Sequence, residues 1–305
     1  MKKIKSKDLL SVTDLTYKEI ELILKLSSKL KKHNRKYLRN RTLGMIFEKN
    51  STRTRVSFEV GIYQLGGIGL FLSNKDLQLG RGETIHDTAI VLSRYLDAIM
   101  IRAYSHKSVE ELAKYSTIPI INGLTDLYHP CQALADLFTI TEYKKNLERL
   151  KLTFIGDGNN VANSLLLTAA MVGMDFSIAT PEGYEIKADI LDKAVNIAKK
   201  TGSHILTTND INEAAANADI LYTDVWVSMG QENEAENKKN LFQEYQINSK
   251  LLKYAKDDVI VMHCLPAHRG EEITPDIIDG SHSVVWDEAE NRLHTQKAIM
   301  TLLIK

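Results

Sequence analysis

Short apolar runs, each too brief for a helix and each separated from the next by a helical pattern, limit what this chain can fold into. They fall at 43–47, 68–72, 98–101 and 118–121, and again at 152–155, 176–179, 205–206, 220–222, 259–262 and 284–286. Strands buried on both faces read as continuous apolar runs, and helices carry the crossovers between parallel neighbours. The pattern predicts an α/β protein with two open parallel sheets and helices on both faces of each. Thr16 opens a capping box with Glu19, and Ile20, Ile23 and Leu24 follow at helical spacing. A helical stretch at 130–143 divides the two series of runs. The last helix, about 288–304, has no sheet of its own and is expected to return to the first domain. The expected domains are therefore 1–142 with about 287–305, and 143–286.

A chain of 305 residues with 44% hydrophobic content can bury two modest cores. Lys plus Arg (39) balance Asp plus Glu (39), so no excess positive charge is available to hold nucleic acid or an anionic membrane. An anionic ligand must be held by locally placed charges. The opening MKKIKSKDLLSVTDL is basic but lacks the apolar run of a secretory signal, and no later stretch could span a bilayer. Cys131 and Cys264 lie far apart and form no disulfide framework, so a reducing cytoplasm is the expected compartment.

Ligands of open parallel sheets sit beyond the carboxyl ends of the strands, and the unusual residues gather there. After the run 43–47 come Ser51, Thr52, Arg53, Thr54 and Arg55, then a helix. A hydroxyl can simply cap that helix, and an arginine can simply face solvent. Three hydroxyls and two guanidinium groups around exposed backbone N–H groups instead make a site for a phosphate dianion. Tyr128-His129-Pro130-Cys131-Gln132 follows the run 118–121 and opens another helix, with His129 and Gln132 three apart. A neutral His can donate to a carbonyl oxygen and Gln can accept from an amide, although a structural His satisfies the same pattern. Zinc at His129, Cys131, His263 and Cys264 is conceivable, but no Cys-x-x-Cys or His-x3-His spacing supports it.

The run 259–262 leads into His263-Cys264-Leu265-Pro266-Ala267-His268-Arg269-Gly270-Glu271-Glu272. The run 220–222 ends in Asp224, which can pair with an ammonium, and in the Ser228-Met229-Gly230 turn, whose N–H groups suit a carboxylate. Gly156-Asp157-Gly158-Asn159-Asn160 begins like a dinucleotide fingerprint, but Val161 stands where its third glycine belongs. Asn160 could meet a ligand carboxylate from that helix start. An NAD-linked dehydrogenase and a non-catalytic amino-acid-binding protein are the rival readings.

Ser51-Thr52-Arg53-Thr54-Arg55, His129-Pro130-Cys131-Gln132 and His263-Cys264-Leu265-Pro266, in this order, resemble the aspartate and ornithine carbamoyltransferases over essentially the whole chain. Asp224 through Gly230 together with Cys264 resemble the ornithine branch; putrescine-specific members lack Ser-Met-Gly. The resemblance implies transfer of a carbamoyl group from carbamoyl phosphate to the side-chain amine of L-ornithine, giving L-citrulline and phosphate in arginine metabolism. No cofactor and no metal are implied. It also implies that Ser51, Thr52, Arg53 and Thr54 bind the phosphate, with Arg55 in support. Arg102 would bridge phosphate and carbonyl oxygen, His129 polarise that carbonyl, and Gln132 hold the carbamoyl NH2. Asn160, Asp224, Ser228 and Met229 would hold the α-amino and α-carboxylate groups of ornithine. Cys264 and Leu265 would meet the reacting amine and carbamoyl group, with Arg292 nearby; Arg102, His129 and Cys264 are the implied catalytic residues. Gln78 would reach a neighbouring site in a homotrimer, and the segment 231–240 is assigned no contact.

Overall fold

The computed structural model describes residues 3–75, 77–78, 82–227 and 235–305. The elements alternate from α1 (Tyr17–Lys32) through β1 (Thr42–Phe47), α2 (Thr52–Gln64), β2 (Ile68–Ser73), α3 (Ile85–Ser93), β3 (Ala98–Arg102), α4 (His106–Tyr115) and β4 (Ile120–Leu124) to α5 (Pro130–Lys144). The second series is β5 (Lys151–Ile155), α6 (Asn160–Val172), β6 (Asp175–Ala179), α7 (Ala188–Thr201), β7 (Ile205–Thr208), α8 (Ile211–Ala215) and β8 (Ile220–Thr223). It continues with α9 (Ala235–Phe242), α10 (Ser249–Leu252), β9 (Ile260–His263), α11 (Pro275–Ile278) and α12 (Val285–Leu303). One compact unit comprises Met1–Phe138 and Glu290–Lys305, the other Thr139–Ala289. The chain thus leaves the first unit within α5 and re-enters it within α12.

Sheet A runs β2-β1-β3-β4 and sheet B runs β7-β6-β5-β8-β9, with every pair parallel, as the apolar runs predict. Register brings the carboxyl ends level: Phe47 lies opposite Arg102, and Thr223 lies opposite both Ile155 and His263. The β3–β4 register shifts at Ile101 and Arg102, an irregularity of the kind that re-aims a side chain. Ile46, Ile99, Ile101 and Leu112 are buried together in the first unit, and Leu221, Val261, Trp226, Phe242 and Ile273 in the second. Among the described residues no helix is long and apolar enough to cross a membrane.

Local chemistry explains most boundaries. The Thr16 hydroxyl accepts the Glu19 N–H at 3.3 Å while the Glu19 carboxylate accepts the Thr16 N–H at 2.8 Å, so the capping box forms as read. β4 begins two residues later than the apolar run because Pro119 has no N–H for the ladder. The run 284–286 is no sixth strand. Ser283 makes one isolated bridge to Val261, after which Asp287 and Glu288 supply the acidic first turn that favours a helix start.

The end of α12 belongs to the first unit, and two features hold it there. Gly61 of α2 leaves room for Met300, whose Cε would stand 3.0 Å from an added Cβ. The buried Lys297 ammonium donates to the Leu30 carbonyl at 3.0 Å, Asn34 Oδ1 at 2.9 Å and Gln64 Oε1 at 2.8 Å. Burial pushes its pKa down to about 8, and three acceptors offset that desolvation. In the second unit the fully buried Glu288 accepts from the Tyr222 hydroxyl at 3.1 Å and the His263 N–H at 2.9 Å, tying β8 and β9 to the start of α12. Glu288→Ala strands both donors in the core. It is expected to cost about 2–4 kcal/mol of stability, read as a lower urea midpoint, and an unchanged midpoint would remove Glu288 from the framework.

Candidate active site

In the first unit the helix N-terminus of α2 stands at the carboxyl end of β1. Ser51, extended at φ −163°, caps it by accepting the Thr54 N–H at 3.2 Å. The first turns of α1 and α3 contain Glu19 and Asp87, as the helix dipole favours. α2 has no acidic residue in its first turn and places Arg53 and Arg55 there instead. Like charge is thus set against like, a local conflict that a bound anion would relieve.

Around this terminus the protein buries Arg102 from the end of β3, His129 from the start of α5 and Arg292 from α12. The Arg292 Nη2 donates to Thr54 Oγ1 at 2.7 Å, fixing α12 to the first turn of α2. Burial holds His129 well below the ordinary histidine range, and the fields of Arg292, Arg102 and Arg53 push it further in the same direction. His129 is therefore a neutral imidazole among cations, able to donate one hydrogen bond without adding positive charge. Three residues on, Gln132 donates from Nε2 to the buried Asp136 carboxylate at 2.8 Å, which turns its carbonyl end away from Asp136.

The structure therefore brings Thr54, Arg53, Arg102, His129 and Arg292 into one charged cluster, with Ser51 and Thr52 at its helix start. Arg55 faces elsewhere, 3.7 Å over the Phe71 ring and beside Glu59. Gln78 is exposed, its carbonyl accepting the Glu83 N–H, and no described contact joins its side chain to the cluster. Cys131 is buried, bonded to the Asn122 carbonyl, and pushed up to about 12 by burial, so it is an inert packing group and a poor zinc ligand.

In the second unit the carboxyl ends of β5, β8 and β9 present Asn159, Asp224 and Cys264. Asp224 Oδ1 accepts from Cys264 Sγ at 3.0 Å and the Val225 N–H at 2.8 Å, while Oδ2 accepts from Asn159 Nδ2 at 2.9 Å. Asn159 also caps α6 through its Oδ1, so one side chain sets both the helix start and the carboxylate. Sequence reading expects Asn160, the first residue of α6, to meet a ligand carboxylate. The structure adds its neighbour Asn159 as the residue that orients Asp224, and the capping preference of Asn was the signal for it. Leu265 sits at φ +57°, a left-handed conformation that costs a non-glycine residue roughly 1–2 kcal/mol. Its N–H donates to His263 Nδ1 at 2.9 Å. Ser228 and Met229 lie outside the described residues.

Two glycines and one lysine here have roles the sequence did not disclose. A Cβ at Gly158 would come within 2.6 Å of the backbone of Glu185 and Ile186, so that crossing segment occupies the space above the loop. Gly158 permits close backbone approach, not a pyrophosphate, which leaves the dinucleotide reading without its binding turn. Gly156 takes φ +141°, which a side chain would resist. Lys238 lies in the segment that was assigned no contact. It is buried on α9 against the Tyr184 and Phe242 rings and pairs with Asp157. Asp224, His263 and Cys264, and separately His268, Glu271 and Glu272, have donor atoms within 4.8 Å of one another. Several of those atoms already have partners: Cys264 bonds Asp224, His263 bonds Glu272, and Glu271 pairs with Lys239.

Comparison with known proteins divides the chain near the same point, at the end of α5, with the second match running on through α12. Residues 7–142 match the family model described as aspartate/ornithine carbamoyltransferase, carbamoyl-P binding domain, and residues 148–303 match its Asp/Orn binding domain. The chain is 60% identical to an ornithine carbamoyltransferase of Methanosphaera stadtmanae, covering 98% of this chain and 99% of that protein. It is 57% identical to one of Oceanobacillus iheyensis, over 99% and 95% respectively. The solved ornithine carbamoyltransferase of Pyrococcus furiosus superposes with a TM-score of 0.96 at 51% identity, covering 100% of this chain and 99% of that one.

The neutrality of His129 has a consequence for stability. An unfolded histidine titrates near ~6.5, while the folded protein resists protonation there until much lower pH. Below that value the unfolded chain binds more protons at this position, so stability falls as pH drops, by up to about 1.4 kcal/mol per pH unit. His129→Asn is expected to lose less melting temperature than the parent on going from about pH 7 to about pH 5. Parallel melting curves for the two proteins would rule out a buried neutral His129.

Proposed function

The chain belongs to the aspartate/ornithine carbamoyltransferase family, and from that membership we propose that it transfers the carbamoyl group of carbamoyl phosphate to the side-chain amine of L-ornithine, releasing L-citrulline and phosphate. The observation that carries this reading is the cluster of half-buried Arg53 and buried Arg102 and Arg292 around a neutral His129 at the N-terminus of α2. That cluster suits a phosphate dianion joined to a carbonyl, because cations and a helix terminus take the phosphate while a neutral donor takes the oxygen. Relatives at 57% and 60% identity, both ornithine carbamoyltransferases, support the choice of amine.

Carbamoyl phosphate binds the domain formed by 1–142 and about 287–305, its phosphate on Ser51, Thr52, Arg53 and Thr54. Arg102 and His129 take the carbonyl oxygen, Gln132 accepts from the carbamoyl NH2, and Arg292 holds Thr54 in place. Ornithine binds the domain 143–286, its α-ammonium on Asp224 and its carboxylate toward Asn160, Ser228 and Met229. Cys264 and Leu265 border the reacting amine. The neutral amine attacks the carbamoyl carbon, the oxyanion forms against Arg102 and His129, and the C–O bond to phosphate breaks. The departing phosphate takes the amine proton. A primary amine of this type titrates near ~10.4, so about one molecule in a thousand is the nucleophile near neutral pH. The expected result is that kcat/KM for ornithine rises roughly tenfold per pH unit from about pH 7 and exceeds that for putrescine, aspartate and N-acetylornithine. A higher kcat/KM for any of the other three amines would overturn the assignment.

The active form is a cytoplasmic homotrimer in which Gln78 serves the neighbouring subunit. Supporting this, the α2–β2 face of the first unit exposes Val56, Val60, Tyr63, Ile68, Leu70 and Phe71, with Tyr63 at 77% and Ile68 at 62% exposure. A contiguous apolar face of this kind marks an interaction surface, and a closed three-fold assembly would cover it. Ile68→Asp is expected to convert the trimer to smaller species in light scattering with the first unit still folded. A trimer that survives the charge would place the interface elsewhere.

A further inference from the structure

The reading above uses Cys264 and Leu265 but leaves the buried groups beneath them unexplained. His263 and Glu272 are both fully buried, and His263 Nε2 lies 2.9 Å from Glu272 Oε1. On the other edge of the ring, Nδ1 accepts the Leu265 N–H at 2.9 Å. A backbone N–H only donates, so Nδ1 must carry a lone pair and the proton must sit on Nε2, directed at Glu272. Glu272 Oε1 also accepts the His268 N–H at 2.6 Å, so one carboxylate oxygen grips both ends of the turn that carries Cys264 and Leu265. Burial by itself would raise the Glu272 pKa, but these bonds outweigh it and leave the carboxyl below the usual range, an ionised acceptor.

We infer that Glu272 and His263 are positioning residues for the transfer reaction: Glu272 fixes the His263 tautomer, and His263 in turn holds Leu265 in its left-handed conformation. That conformation sets the direction of the chain immediately after Cys264, whose thiol donates to Asp224. Without the acceptor on Glu272, the ring is free to carry its proton on Nδ1, where it opposes the Leu265 N–H. The turn then relaxes, and Cys264 leaves Asp224. The inference rests on the proposed function only for its effect on turnover, because the placement of Cys264 can be read without any substrate.

The test uses two matched pairs in the full-length protein. Glu272→Gln keeps an acceptor oxygen, whereas Glu272→Leu removes it. His263→Asn keeps an acceptor near the place of Nδ1, whereas His263→Leu removes that too. Alkylation by iodoacetamide reports Cys264, because Cys131 is buried and its thiol is pushed up to about 12. Both leucine variants are expected to alkylate at least about fivefold faster near pH 7, since the thiol no longer faces the Asp224 carboxylate. Their kcat should fall by about tenfold or more with KM for carbamoyl phosphate unchanged. Glu272→Gln and His263→Asn should stay within about threefold of the parent in alkylation. Equal alkylation within either pair, whether both fast or both like the parent, overturns the inference. Should the leucine variants fail to fold, Glu272→Gln or His263→Asn outside that range does the same, and both inside it support the inference. An incorrect ornithine assignment would appear instead in the amine panel of the parent, with alkylation untouched.

Discussion

In sheet A, β2 and β3 flank β1; in sheet B, β6 and β8 flank β5. The chain therefore leaves the first strand of each sheet in one direction and later returns on the opposite side. Crossovers that diverge in this way leave a crevice beyond the carboxyl ends of the two strands at the reversal. The pairing register makes those ends level, Phe47 with Arg102 and Ile155 with Thr223. Residues as distant in sequence as Ser51 and Arg102, or Asn159 and Asp224, are thereby delivered to one edge by backbone hydrogen bonding alone. The identity of the side chains there is then free to answer to chemistry, since the cores that fold the units lie elsewhere.

The first unit spends that freedom on charge. Arg53 in a first turn, and a buried Arg102 and Arg292, are unfavourable placements for cations if stability alone is considered. His129 keeps the cluster tolerable by remaining neutral, and its neutrality is a result of the same arginines and of its burial. The field that would welcome an anion is thus also the field that sets the protonation state of the one imidazole inside it. A single arrangement supplies both a cationic seat and a neutral donor, which separate sites would have to tune independently.

The fold was legible because it depends on periodicity. Nine of the apolar runs fall on the strands β1 to β9, and the Thr16–Glu19 box forms as its spacing implies. The run 284–286 misled because an apolar triplet at a buried helix start looks like a strand when only hydrophobicity is read; the acids that follow it were the better guide. Ser51 to Thr54 and His129 of the charged cluster around α2 were legible for a related reason, since they follow strands already located, whereas Arg102 and Arg292 came from the family resemblance. Asn159, Lys238 and Glu272 were not legible. Asn159 meets Asp224 across 65 positions, Lys238 meets Asp157 across 81, and a Glu nine residues after a His gives no hint that the loop folds back. Such pairs follow from tertiary packing, which neither propensity nor motif spacing encodes.

The buried carboxylates of the second unit show how such packing decides which acids are offset by a cation and which are held by neutral donors. Asp157 is raised by burial but faces Lys238, whose ammonium already offsets its charge. Glu272 and Glu288 are fully buried and serve His263, the His268 N–H and the Tyr222 hydroxyl. Asp224 differs from Asp157. Its donors, Asn159 Nδ2, the Val225 N–H and the Cys264 thiol, orient the carboxylate without supplying a full countercharge. It also retains 8% exposure, where Glu272 and Glu288 have none. A cation cancels the charge of an acid while neutral donors do not, so of these four carboxylates Asp157 is offset by a lysine, and Asp224 is the one of the other three that keeps some exposure at the sheet edge.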